Sequence, residues 1–207
     1  MAGSMNLIVS VLAAGGVFLA MVSIVYASWR NGISPMPSSL AVRTAVAAEV
    51  NGLTGNGPIV EAGSGWGTMA FHLARHCRGR RVTGIENSPV PLWFSRLAAR
   101  WSFPPLSRAL SSRDNVTFVR GNLYDYPYEK ADVVVCYLYP GAMKRLSRLF
   151  GKSMKPGARI ISVCFALPGW RPERVVTCGD PYRTKVYVYA AEPYSDKTGD
   201  EKIERPR

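Results

Sequence analysis

The stretch Ile59-Val60-Glu61-Ala62-Gly63-Ser64-Gly65-Trp66-Gly67 passes from a short apolar run into glycines at alternate positions, and a helical pattern begins directly after it at Thr68. Ile59 to Ala62 predicts a short buried strand, bounded upstream by the breaker Gly55-Asn56-Gly57-Pro58, and the helix is predicted to run to about Cys77. Strand, glycine turn and helix in that order open a nucleoside-binding α/β unit, in which missing side chains let the backbone pass close to a ligand.

The spacing is E-x-G-x-G-x-G, not the G-x-G-x-x-G of dinucleotide sites. The difference is chemical. A dinucleotide brings a pyrophosphate that needs free amides at a helix N-terminus. S-adenosylmethionine (SAM) has no phosphate and carries an ammonium on its methionine end, which a carboxylate suits. Glu61 can supply that carboxylate beside the backbone of Ala62, Gly63, Ser64, Gly65 and Gly67. A second acid, Glu86, ends the next predicted strand, Arg81 to Glu86, about 20 residues on, where a carboxylate accepts hydrogen bonds from ribose hydroxyls. Asn87 follows, and it or the apolar residues after it are candidates to flank the adenine. A third strand, Val116 to Arg120, leads to Gly121-Asn122-Leu123, where Asn122 can meet the adenine edge. Gly151-Lys152-Ser153 imitates the end of a phosphate loop, but Leu146 stands where that motif needs glycine, and the run follows a helix, so it is set aside.

The rest of the pattern continues the alternation. A helix capped by Ser38 or Ser39 runs to about Leu53, Ser88 caps another through Trp101, Asp132 to Tyr137 reads as an interior parallel strand, and a basic amphipathic helix covers about Gly141 to Ser153. Ala158 to Phe165 is a further strand. Arg174 to Cys178 and Lys185 to Ala190 follow without a helix between them, which suggests a terminal hairpin. The predicted fold class is α/β, a Rossmann-like class I SAM-dependent methyltransferase with a seven-stranded, mostly parallel sheet.

Leu7 to Trp29 contains no charge and is long enough to span a bilayer, with Tyr26 and Trp29 at its end and Arg30 immediately after. No basic residues precede it, as they would in a cleaved signal peptide, so it reads as a retained transmembrane anchor with the following domain on the cytoplasmic or mitochondrial matrix side. The organisation is then 1–4 as a cloning scar (Met1-Ala2-Gly3-Ser4), 5–30 as the anchor, 31–54 as linker and first helix, 55–192 as the methyltransferase domain and 193–207 as a charged tail. A net charge of +12 over 207 residues points to an acidic partner, anionic lipid or nucleic acid. The four cysteines form no C-x-x-C pair, which argues against zinc and for a reducing compartment, and Cys136 and Cys164 read as small buried residues. His72 and His76 have helical spacing but neither the H-E-x-x-H glutamate nor a third ligand, so no metal is expected.

Methyl transfer from a sulfonium is an in-line displacement that needs a positioned nucleophile and exclusion of water. The substrate is expected at the carboxyl ends of the central strands, where Cys136-Tyr137-Leu138-Tyr139-Pro140 ends the fourth. Tyr137 and Tyr139 are the candidate catalytic residues, lining an amine channel by cation–π contact and hydroxyl acceptors, with Pro140 and Trp170 as further channel residues. Tyr-Leu-Tyr-Pro lacks the polar residue, two prolines and aromatic typical of amino-methylating nucleic-acid enzymes, which weighs against nucleic acid.

These features resemble the membrane-anchored seven-β-strand protein lysine methyltransferases, those of the mitochondrial ADP/ATP carrier and the ATP synthase c subunit and their prokaryotic relatives. The likeness rests on the pre-motif Ser34-Pro35-Met36-Pro37-Ser38-Ser39, the loop Glu61 to Gly67, Val133 to Pro140 with the helix carrying Met143 and Leu146, and Gly157 to Ser162 followed by Leu167-Pro168-Gly169-Trp170-Arg171-Pro172. It implies SAM as cofactor, a protein lysine, in a membrane protein, as acceptor, and a role for Ser38 and Ser39 in holding the methionine end. The chain departs from the family pattern at Trp66, where an acid is common, at Thr68, where a base is common, and at Asn122, where an acid is common. Lipid or small-molecule amine methylation, and SAM binding without chemistry, are the alternatives.

Overall fold

Two four-residue strands form the middle of the molecule. β1 (Ile59–Ala62) and β4 (Val133–Cys136) bury every residue, as continuous apolar runs must when both faces of a parallel sheet are covered. The computed structural model describes residues 2–31, 37–102 and 116–191. Around the central pair lie β2 (Val82–Glu86), β3 (Val116–Arg120), β5 (Arg159–Val163), β6 (Arg174–Thr177) and β7 (Lys185–Ala190), in the order β3-β2-β1-β4-β5-β7-β6. The first five strands pair in parallel. β7 enters antiparallel between β5 and β6, which makes the terminal hairpin expected from two strands without an intervening helix. This is the seven-stranded Rossmann-like methyltransferase sheet. Strand order reverses between β1 and β4, so the crevice at their carboxyl ends is where a ligand binds in such a sheet.

Helices cover both faces. α2 (Leu40–Asn51), α3 (Thr68–His76) and α4 (Pro89–Ser102) lie over a core that includes Val46, Leu73, Leu92, Phe118 and Ile161. α5 (Pro140–Ser153) closes the other face over Val134, Leu146, Phe150, Ile160 and Tyr189. α5 starts at Pro140, one residue earlier than its apolar spacing suggests, because proline at the first helical position gives up no needed N–H. The predicted strands are shortened at their ends: Asp132, Tyr137, Ala158, Phe165 and Cys178 fall outside the ladders. Cys164 is half-buried, not buried as its apolar context implied. It sits at φ +70° where the chain leaves β5, which turns its side chain out of the strand alternation.

α1 (Ala2–Asn31) is longer than the uncharged run and continues through residues 2–4. Its Met5–Tyr26 window has a mean hydropathy of 2.5, and none of it is buried in the protein, so by length and composition it can cross a membrane. It packs against α4. Ser34 to Met36 of the pre-motif, the loop from Phe103 to Ser112 and the tail from residue 193 lie outside the described residues.

Two loops are clamped by arginine or acid. Arg80 is 3% exposed and donates to the carbonyls of Leu53, Gly55 and Gly57, which fixes the approach to β1. Asp180 accepts from the Thr184 amide and hydroxyl, and these bonds hold its carboxyl below the usual range while they close the β6–β7 turn.

Candidate functional site

The glycine turn after β1 is held to β2 by its own amides. Gly63 and Ser64 both donate to the Ile85 carbonyl, at 3.0 and 2.9 Å, and Gly65 donates to Glu86 Oε2 at 2.7 Å. The other Glu86 oxygen accepts from the Ser88 amide at 2.7 Å. Glu86 is therefore a brace for the turn as well as a carboxylate at the end of β2. Each of its oxygens has a second lone pair to offer.

Gly63, Gly65 and Gly67 all have positive φ, which non-glycine residues avoid. At two of them the space for a side chain is also taken from the protein side. A Cβ on Gly63 would lie 2.7 Å from Leu138 Cδ2, and one on Gly67 2.6 Å from Phe118 Cζ. Sequence spacing suggested that these side chains are missing to admit a ligand. At Gly63 and Gly67 the atoms that fill the gap belong to the core.

Glu61 is the anomaly of the site. It is 6% exposed, and among the described residues its Oε2 has no hydrogen-bond partner. Burial pushes its pKa up to about 8. The Ala70 amide pulls the other way and the Glu86 charge adds to the rise. Ser64 Oγ is likewise buried, with no partner among the described residues. A buried carboxyl oxygen left unpaired costs stability. Beside a loop that a cationic ligand can reach, it is the group a positively charged ammonium would satisfy, so these residues fit the methionine end of SAM.

The pre-motif reaches the same loop through a residue whose role sequence reasoning missed. Ser38 is buried, and its hydroxyl lies 3.2 Å from Thr68 Oγ1, on the first residue of α3. Thr68 also accepts from the Ser38 amide. The signal was Thr68 itself, a hydroxyl immediately after the last loop glycine. Ser39 is the N-cap of α2 and accepts from the Val42 amide, so its side chain serves the helix.

Asn87 lies exposed between Glu86 and α4 and accepts from the Ser88 hydroxyl at 3.3 Å. Asn122 has both ends of its amide engaged in its own loop: Nδ2 donates to Asp125 at 2.7 Å, and Oδ1 accepts from the Tyr124 amide. Trp66 stacks edge-on against Phe94 of α4, with ring centroids 5.4 Å apart.

The two candidate tyrosines do not share one wall. Tyr137 is 37% exposed, and its pKa is raised by burial and then by Cys164, Asp180 and Cys178 beside it. Tyr139 stands at the N-cap position of α5 beside Tyr124, whose pKa burial raises and whose ring carries the Arg145 guanidinium 3.7 Å from its centroid. Between them, buried Leu138 points down onto Gly63. Pro140 is exposed at the start of α5. Trp170 is half-buried on the same cluster as Leu138 and Tyr139: Nε1 donates to the Ser147 carbonyl at 3.1 Å, and the ring meets Tyr189 edge-on. Tyr124 and Arg145 were not singled out in the sequence, because only folding brings the β3 loop onto α5.

His72 and His76 stack on α3 with centroids 4.0 Å apart, and burial, then His76, Arg43 and Arg75, pushes His72 down to about 4. Among the described residues no group of three or more His, Cys, Asp or Glu side chains stands close enough to hold a metal.

Solved structures match this architecture. An RNA methyltransferase from Salinibacter ruber with bound S-adenosyl-L-homocysteine aligns over 82% of this chain and all of its own, with a TM-score of 0.64 at 24% identity. The magnesium protoporphyrin IX methyltransferase of Synechocystis PCC 6803 with bound SAM aligns over 73% of this chain and 78% of its own, with a TM-score of 0.55 at 18% identity. Among curated relatives, the mouse lysine N-methyltransferase of the ATP synthase c subunit is 29% identical over 133 residues, which is 64% of this chain and 49% of that protein. A protein-lysine N-methyltransferase of Saccharolobus islandicus (strain REY15A) is 31% identical over 74 residues, 35% of this chain and 46% of that protein. The chain thus spans about half the length of the curated relatives it matches. The ANTKMT methyltransferase domain model matches residues 61–174, from the unpaired Glu61 to the first residue of β6, and the chain belongs to that family.

Proposed function

We propose that this protein is a SAM-dependent methyltransferase that modifies a lysine side chain of a protein, in a membrane protein, while α1 holds it in the bilayer with the domain on the cytoplasmic or matrix side. The observation that carries the cofactor reading is the buried, unpartnered Glu61 Oε2 at the glycine turn. The lysine reading is supported by the relatives above, and the anchor by the length and hydropathy of α1.

SAM supplies, when bound, a methyl group on a sulfonium for direct displacement. Glu61 would hold the cationic end and Glu86 the ribose, with the turn braced by the Gly65 and Ser88 amides. Ser38 and Thr68 would fix the pre-motif against that end of the site. At the strand ends, Tyr137 and Tyr139 would flank the incoming amine from different sides. The Tyr137 and Tyr124 phenols, protonated at neutral pH as tyrosines ordinarily are and held more firmly so by burial, offer lone pairs and ring faces and do not act as bases.

The test is incubation of the full chain with tritiated-methyl SAM and membranes from the source organism, followed by gel separation and lipid extraction. A discrete labelled protein band is expected, lost roughly tenfold or more in Glu86→Gln, since one charge-assisted hydrogen bond is worth about 1.5–3 kcal/mol. Label confined to the lipid fraction would replace the lysine reading with a lipid amine enzyme. SAM binding without any label would leave a binding module. Thr68→Val is a milder probe. It breaks the link to Ser38 and is expected to weaken S-adenosylhomocysteine binding several-fold at a stability cost of about 1 kcal/mol, read by calorimetric titration beside a thermal melt.

A further inference from the structure

α4 carries a face whose centre neither the glycine turn nor the core covers; at its edges Phe94 meets Trp66 and Arg96 Nε donates to the Phe118 carbonyl at 3.0 Å. Its sequence, from Pro89 to Ser102, contains two arginines and no acid. At about 100° per residue, Arg96, Arg100, Trp93, Leu97, Trp101 and Phe94 fall side by side, while Leu92, Ser95 and Ala99 turn to the opposite side. The burial follows this split. Leu92 and Ser95 are buried, whereas Trp93, Phe94 and Trp101 are 66%, 48% and 77% exposed. Three large aromatic side chains together on one helix face are more than scattered surface apolarity.

The chemistry of the stripe names its occupant. Indole and phenyl rings edged by guanidinium groups suit the headgroup boundary of an anionic bilayer, where the rings sit below the phosphates and the arginines among them. α4 also packs against α1, the helix that can cross a membrane, so the exposed aromatics stand next to the chain's own route to lipid. The chain carries a net charge of +12, which attracts an anionic surface and opposes a second copy of itself at the same arginine-lined face.

We propose that the Trp93–Leu97–Trp101 face of α4 lies in the interfacial layer of an anionic bilayer, with Arg100 at the lipid phosphates, so that the catalytic domain is held on the membrane at two elements and does not swing from α1 alone. The proposal rests on α1 being a bilayer span. It has a consequence for the substrate: Phe94 joins this face to Trp66 of the glycine turn, so the methyl acceptor of a docked domain is a group close to the headgroups.

The test uses the full chain in nanodiscs containing about one-third anionic phospholipid, with part of the lipid brominated near the top of its acyl chains to quench indole emission. The protein has 5 tryptophans, and Trp29, Trp93 and Trp101 are the ones the proposal brings to lipid. The Trp93→Ser/Trp101→Ser double variant changes exposed positions and is expected to enter nanodiscs and melt like the parent chain. Its quenchable emission should fall by roughly two-thirds, the share of two rings among three at the interface. Arg100→Glu should reduce the parent chain's quenching in anionic discs and leave it unchanged in zwitterionic ones. Unchanged quenching in the double variant, with normal insertion, would overturn the docking face and leave the anchor standing. Failure of the parent chain to enter nanodiscs would instead overturn the anchor, and the docking proposal with it.

Discussion

Glu61→Gln is expected to make the protein more stable at alkaline pH and much poorer at binding SAM. The carboxyl has a folded pKa near 8 against an ordinary 4.5, mainly because burial penalises its charge. A raised pKa means that the folded state holds the proton more tightly than the unfolded chain does. The stability this proton provides is full below about pH 4.5 and is lost as pH rises through about 8. Above that pH the ionised carboxylate costs the fold on the order of a few kcal/mol. Glutamine fills the same space and cannot ionise. Urea titrations between pH 7 and 8.5, above the range in which His72 titrates and below that of the cysteines, should therefore show the parent chain losing stability while the variant's curve is flatter. An equal slope in both would mean that Glu61 is not the titrating group.

The same substitution should lose SAM affinity about tenfold or more, because the variant cannot balance the ammonium charge. In the parent chain a bound cation would favour the ionised carboxylate. Binding at pH 7 should then release a proton, visible as a binding enthalpy that changes with the ionisation enthalpy of the buffer. Glu61→Gln should abolish that buffer dependence. A carboxylate that destabilises its own fold in order to meet a charged ligand is the trade expected of a binding site.

The second large effect is steric. Gly67→Ala has two independent penalties: a φ of +79°, which costs an ordinary residue about 1–2 kcal/mol, and a Cβ 2.6 Å from Phe118 Cζ, an overpacking of about 1–3 kcal/mol. Phe118 has little room to yield. It is 4% exposed, packs on Phe71 with centroids 5.1 Å apart, and already fills the space above Gly84. A loss of about 2–5 kcal/mol is expected, with no detectable SAM binding in the fraction that remains folded. Phe118→Leu in the same chain should restore the steric part and leave the φ part. That coupling, measured as a double-mutant cycle by urea unfolding, distinguishes core packing from ligand clearance as the reason for glycine. Additive losses would show that Phe118 is not what Gly67 avoids.

Much of this molecule is legible in its linear order because local rules and tertiary demands agree. Continuous apolar runs at Ile59–Ala62 and Val133–Cys136 have one stable setting, the doubly covered interior of a parallel sheet, and the breaker before β1 and the glycines after it set its ends. The positions of Glu61 and Glu86 at the ends of β1 and β2, and of the glycine turn beside them, were readable because the turn and the second acid follow apolar runs of strand length. The terminal hairpin followed from the absence of a helix between β6 and β7. Other features depend on what the fold brings together. Gly63 and Gly67 are answered by Leu138 and Phe118, far away in sequence. Ser38 finds Thr68 across 30 residues, and Tyr124 meets Tyr139 and Arg145 from another loop. Tyr137 and Tyr139, two residues apart, part to different sides because β4 ends at Cys136, before both, and α5 begins only at Pro140, so strand alternation does not govern them. The free oxygen of Glu61 is likewise a tertiary fact, since sequence can nominate a carboxylate but only packing decides whether water and amide partners reach it. Pattern along the chain thus determined the sheet, the glycine turn and its two acids, which depend on residue type and spacing. Tertiary structure decided which side chains share a wall and which buried carboxyl oxygen lacks a partner among the described residues, because those depend on distances that no local rule encodes.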